Sequence, residues 1–142
     1  MEQSPPISCL CAVLRRASRA VTRAYEARLD PLGVTVTQHT ILRTLMQAGA
    51  RAQHELAEIL VMDSTTLTRT LSPLRARGWI EQHPTDDRRV RRWAITPSGR
   101  RVIDRCAKAW QASQRDLKAR VGEHEWEVLR HSLLRLGGLA AA

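Results

Sequence analysis

The side chains able to do covalent or metal chemistry are few and scattered. Three thiols, Cys9, Cys11 and Cys106, and five imidazoles, His39, His54, His83, His124 and His131, stand apart along the chain. A structural zinc site needs its ligands in closely spaced sets, which the histidines lack. Cys9 and Cys11 are two residues apart, so on one helix they project about 200° away from each other and could share an ion only if the helix began later. There are no paired carboxylates, no Ser-His-Asp set and no glycine-rich phosphate loop, so the pattern argues against an enzyme. No metal and no cofactor is expected. An odd number of irregularly spaced cysteines points to reduced thiols, not a disulfide framework.

The chemistry the chain does offer is that of arginine. Lys and Arg number 23 against 14 Asp and Glu, a formal charge of +9, and only Lys108 and Lys118 are lysines. Guanidinium groups form forked bonds to phosphate and to guanine edges, so the excess favours a nucleic-acid partner. High-GC coding bias enriches arginine as well, so composition alone leaves both explanations standing.

Position is more specific. Glu55-Leu56-Ala57 to Thr68-Arg69 reads as a short helix, a tight turn at Val61-Met62-Asp63 and a longer helix opened by Ser64, Thr65, Thr66, Thr68 and Arg69. Short hydroxyls with one long cation suit a helix N-terminus laid in the major groove of double-stranded DNA. An ordinary threonine-rich surface helix fits the same residues. Arg75, later on that helix, joins the candidate DNA contacts. Asp87-Arg88-Arg89 and Arg91 then concentrate charge at a hairpin tip, where arginine can enter a minor groove. Asp87 is expected to brace an arginine through a forked pair; a solvated charged hairpin is the plainer alternative.

The elements that must position these groups are legible from periodicity and caps. A helix is expected from Ile7 to Leu29, with the stripe Leu10, Cys11, Leu14, Ser18, Val21 and Tyr25, ended by Asp30-Pro31-Leu32-Gly33. Thr35 and Gln38 have capping-box form for a helix that ends at Gly49. A short helix near Gln53–Leu60 starts without a good cap, at Ala52. Asp63 caps the next, from Ser64 to about Arg77, and Pro73 within it should bend or weaken its final turn. Two strands, Trp79–His83 and Arg91–Ile95, make the hairpin. Thr96-Pro97-Ser98-Gly99 opens a long helix to about Val121, with Ile103, Cys106, Trp110, Ser113 and Leu117 on one stripe. After Gly122, Trp126, Leu129, Leu133 and Leu136 line a last helix. Residues 1–6 read as a frayed tail without a signal-peptide profile, and no apolar run reaches the roughly 18–20 residues of a membrane span. A cytoplasmic, nucleoid-associated protein with no membrane partner is expected.

Leu32-Gly33-Val34-Thr35, Gln38, Glu55-Leu56-Ala57, Ser64–Arg69, Asp87-Arg88-Arg89 and Thr96-Pro97-Ser98-Gly99-Arg100, in this order and spacing, resemble the MarR family of regulators. The resemblance implies a mainly α fold with a small β-hairpin wing, a winged helix-turn-helix carried on a helical dimerisation lobe. One such domain would fill 1–142, with a DNA-binding lobe at 35–96 and dimerisation helices at 7–33 and 97–139. It implies a homodimer on a pseudo-palindromic operator, released by a small ligand or by thiol oxidation. A constitutive architectural DNA binder without an effector is the alternative. Ala52, where members often carry Thr or Ser, and Pro73 depart from the common pattern.

Cys11 and Tyr25, fourteen residues apart, match a cysteine–tyrosine spacing of the family's organic-hydroperoxide-responsive branch. On one helix they lie about 21 Å apart, so they can meet only across two antiparallel copies, where the phenol would favour the thiolate that peroxides attack. The branch's other two tyrosines are replaced by Arg15 and Val36. Cys11 equally fits a small apolar residue on a packed stripe.

Overall fold

The computed structural model describes residues 8–138. The expected tail at 1–6, Ile7 and the terminal residue of the 97–139 segment lie outside these; the first helix, expected from Ile7, begins only at Leu10, after Ser8 and Cys9. Among the described residues six helices and three short strands follow one another, and the chain divides into two compact units, Glu26–Ala107 and the two flanks up to Tyr25 and from Lys108. The division falls inside the first and fifth helices, not at the turns that end elements. Leu29, at the end of the first helix, and Val102, Ile103 and Cys106, near the start of the fifth, are buried.

In the unit Glu26–Ala107, α1 (Leu10–Leu29) gives way to a single 3-10 turn at Asp30–Leu32, closed by Gly33 with φ of 73°. The capping box forms as expected: the Gln38 amide donates to Thr35 Oγ1 and the Thr35 amide to Gln38 Oε1, both at 3.1 Å. The helix it opens, α2 (Val36–Ala48), buries His39, Ile41, Leu42 and Leu45. The sheet has three strands, not two: β1 (Arg51–Ala52) pairs antiparallel with β3 (Arg92–Ile95), which also pairs with β2 (Ile80–His83). Two residues cannot show an alternating pattern; β1 exists because Arg51 and Ala52 lie opposite Trp93 and Arg92.

The helix α3 (Gln53–Leu60) lacks a side-chain cap at Ala52, but the Glu55 carboxylate reaches back to accept the Ala52 amide at 2.7 Å. It ends on Val61, the one non-glycine residue with positive φ (51°) among the described residues. α4 (Ser64–Ala76) follows and packs on α3, and Leu56 of α3 and Leu67 and Leu71 of α4 are buried. It continues past Pro73 to Ala76, and the Pro73 carbonyl still accepts the Arg77 amide at 3.1 Å. The proline therefore removes one amide from the ladder without opening the last turn.

α5 (Pro97–Val121) begins on a built joint. Buried Thr96 accepts the Gly99 amide at 3.1 Å and donates to the Gly78 carbonyl at 2.6 Å, tying the end of α4 to the start of α5. Gly99 is required by space: a Cβ there would collide with the Trp79 carbonyl oxygen and stand 2.7 Å from Ile95 Cγ1.

The other unit holds α1 up to Tyr25, α5 from Lys108 and α6 (Glu123–Leu136). Ser113 is fully buried and its hydroxyl donates to the Ala24 carbonyl at 3.3 Å. Leu10, Val13 and Val21 on α1, and Val128, Leu129, Leu133 and Leu136 on α6, are exposed in the single chain. No helix among the described residues is long and apolar enough to cross a membrane.

Candidate nucleic-acid interface

Asp63 caps the N-terminal end of α4. Its carboxylate accepts the Thr66 amide at 2.8 Å and the Thr66 hydroxyl at 2.6 Å, and these bonds hold its pKa below the usual carboxylate range. The cap satisfies one of the amides a helix start leaves orphaned.

Ser64, Thr65, Thr66, Thr68 and Arg69 are all exposed, as expected from the sequence, but their hydroxyls are not equivalent. Thr66 is committed to the cap. Thr68 donates to the Ser64 carbonyl at 2.9 Å and accepts from Gln53 Nε2 at 2.9 Å. Ser64 and Thr65 keep their hydroxyls, and Arg69 its guanidinium, unengaged among the described residues.

The hairpin brings Arg88, Arg89 and Arg91 to the surface, with no ion pair to any of them among the described residues. Asp87 braces this tip in a way the sequence did not suggest. Instead of a forked pair with an arginine side chain, its Oδ1 accepts the Arg89 backbone amide at 2.9 Å, while its carbonyl accepts the Val90 amide at 3.0 Å. A short carboxylate reaches a backbone N–H two residues on more readily than a guanidinium leaving the turn. The arginines are thus left free to meet an external anion.

Helix α4 and the wing face each other across an open cleft of about 630 Å³. His54 and Glu58 of α3, Ser64 and Thr68 of α4, and Arg89 and Arg91 of the wing lie along its walls. Arg75 sits over the Trp93 ring, 5.9 Å from its centroid, and Arg77 over Trp79 at 4.7 Å. Trp93 is buried in the sheet and donates its indole N–H to Gln53 Oε1 at 3.1 Å. Sequence reasoning passes over Gln53, since its partners lie 15 and 40 residues away.

Cys9 and Cys11 are exposed on the described part of the first flank, beside a concavity of about 440 Å³ that Arg15, Arg16 and Arg19 also line. Tyr25 is half-buried further along the helix. Cys106 is buried, and burial pushes its thiol pKa up.

These elements define a winged helix-turn-helix. A family model described as the MarR family matches residues 32–89, from the end of α1 to the wing tip. The multiple antibiotic resistance protein MarR of Salmonella typhimurium is 37% identical over 85 residues, 59% of this chain and 59% of that protein, so the match spans about three fifths of the curated relative. Among solved structures, the transcriptional regulator MOSR of M. tuberculosis in complex with DNA is similar over 92% of this chain and 95% of that one. It is 31% identical, with a TM-score of 0.82. A mutant of E. coli MarR complexed with operator DNA superposes with a TM-score of 0.81 at 25% identity, over 89% of this chain and 92% of that one. Residues 32–89 thus match the MarR family, and the fold around them is similar to that of MarR proteins.

Proposed function

We propose that this chain is a dimeric, sequence-specific DNA-binding transcription regulator and not an enzyme. One observation carries the reading: the N-terminal turn of α4, with Ser64, Thr65 and Arg69 unengaged, stands across one cleft from a wing whose Arg88, Arg89 and Arg91 have no acidic partner among the described residues. A helix end for base edges beside cations for the backbone is what duplex recognition requires. The DNA complexes of MOSR and of E. coli MarR support the same use of the fold.

Two copies would bury the exposed rows Leu10, Val13, Val21 and Val128, Leu129, Leu133, Leu136, apolar side chains that α1 and α6 leave in water in the single chain. Each copy reads one half-site, and the protein acts as a cytoplasmic repressor. A small ligand or an oxidant acting at exposed Cys11, with Tyr25 of the second copy beside it, releases the operator.

Arg69→Ala tests the reading. Affinity for the selected operator should fall by about 1–3 kcal/mol more than affinity for random duplex. Equal losses would mean that α4 only clamps phosphate, and would turn the assignment toward an architectural DNA binder. Sedimentation at micromolar concentration should give a dimer; a stable folded monomer of 16.0 kDa would remove the two-half-site mechanism.

A further inference from the structure

A four-group hydrogen-bond relay runs from the sheet into the recognition helix, and its polarity is fixed at both ends. At one end the Trp93 indole N–H can only donate. Its partner, 3.1 Å away, must therefore be the carbonyl of the Gln53 amide, which settles which way that amide points. The amide nitrogen is thereby turned to Thr68, and at 2.9 Å it donates to the hydroxyl oxygen. At the other end the Ser64 backbone carbonyl, 2.9 Å from Thr68 Oγ1, can only accept. The Thr68 proton has to go there. The Gln53 backbone amide is also tied down, donating to the Arg91 carbonyl at 2.8 Å at the wing's root.

A threonine hydroxyl has one proton and two lone pairs. In this relay the proton and one lone pair are spent, and Thr68 is exposed on the wall of the cleft. The remaining lone pair can accept a bond and cannot donate one. We infer that Gln53 is a positioning residue that makes Thr68 an acceptor-only reader of DNA. Thr68 then selects bases that present an amine in the major groove, adenine through N6 or cytosine through N4, over guanine and thymine. A free serine or threonine hydroxyl bonds to either kind of edge; here the sheet, acting through Gln53, removes that ambiguity.

The inference rests on α4 reading base edges, as proposed above, and the experiment separates the two. Duplexes with a randomised core are selected on the wild-type protein, on Gln53→Met and on Thr68→Val. Affinities are then measured for the four bases at each position of the recovered site. Wild type should show one position per half-site at which adenine or cytosine on the contacted strand is preferred by about 3- to 10-fold. Gln53→Met and Thr68→Val should each flatten that position to within about twofold and leave the base preferences at the other positions intact, a pattern that loss of fold would not give. The Trp93 indole N–H resonance should move in Gln53→Met and stay in place in Thr68→Val. A site with no such position, or one that Gln53→Met leaves intact, overturns the role of Gln53 while sparing the regulator assignment. Recovery of no preferred sequence by wild type overturns both.

Discussion

The Thr96 hydroxyl and the Gly78 carbonyl meet at 2.6 Å, and through this bond the exit of α4 is fastened to the entry of α5. The same oxygen accepts the Gly99 amide at 3.1 Å. Thr96→Val keeps the shape and deletes both bonds, leaving a carbonyl and an amide unsatisfied beside a buried side chain. Such a change should cost about 1–3 kcal/mol. Thr96→Ser should recover most of it. Urea unfolding of the two variants compares them directly, and equal midpoints for valine and wild type would show that the bond contributes nothing.

Gly99→Ala decides between two opposed effects. In an open helix alanine is better than glycine by about 1 kcal/mol. Here the added methyl would collide with the backbone oxygen of Trp79. A backbone atom cannot swing aside, and overpacking of this kind costs about 1–3 kcal/mol or more. The clash should win. A lowered midpoint in chemical denaturation is expected; a raised one would mean the joint is looser than the packing of Trp79 and Ile95 implies.

His39 gives the fold an acid sensitivity. It is 3% exposed, and burial first, then the charge of Arg43, pushes its pKa down to about 4 from 6.5. Between those values the unfolded chain binds a proton that the folded chain refuses, so stability falls as the pH drops from about 6.5 toward about 4. Above about 6.5 the group adds no pH dependence. Each pH unit between the two values removes roughly 1.4 kcal/mol, so the full loss approaches about 3 kcal/mol. His39→Gln should flatten this part of the stability–pH curve, whatever its own cost at neutral pH. An undiminished slope in the variant would assign the acid loss to other groups.

On the wing, Arg88→Ala with Arg89→Ala should weaken DNA binding and lower the slope of log affinity against log salt by up to about two. Asp87→Ala leaves both cations in place but frees the Arg89 amide from its turn. It should reduce affinity with little change in that slope. An unchanged slope in the double variant would place the tip away from the duplex.

Most of the architecture is legible in the sequence because its signals are local. Thr35 with Gln38, Asp63 with Thr66, and Gly33 and Gly49 act within a turn of their own position, and the α5 stripe through Ile103, Cys106, Ser113 and Leu117 is buried as its spacing predicts. What escapes is what depends on partners far along the chain. β1 is created by the strand opposite it, 40 or more residues away. Gln53 looks like any first-turn polar residue until Trp93 and Thr68 are seen around it. Asp87 does brace the wing tip, but by a different bond from the one expected, because composition cannot tell a backbone amide from a guanidinium as its target.

Val61 carries one more consequence. It holds a β-branched side chain, 81% exposed, in the left-handed region at the joint between α3 and α4. The left-handed conformation costs a residue with a Cβ about 1–2 kcal/mol, against roughly 0.5–1 kcal/mol of extra chain entropy that glycine would lose. Val61→Gly should therefore leave the protein slightly more resistant to urea; an earlier transition would show that stiffness outweighs strain at this joint. Every valine codon is one base away from a glycine codon. A sturdier version of the molecule thus lies a single nucleotide away, a reserve against damaging mutations elsewhere that the present gene leaves undrawn.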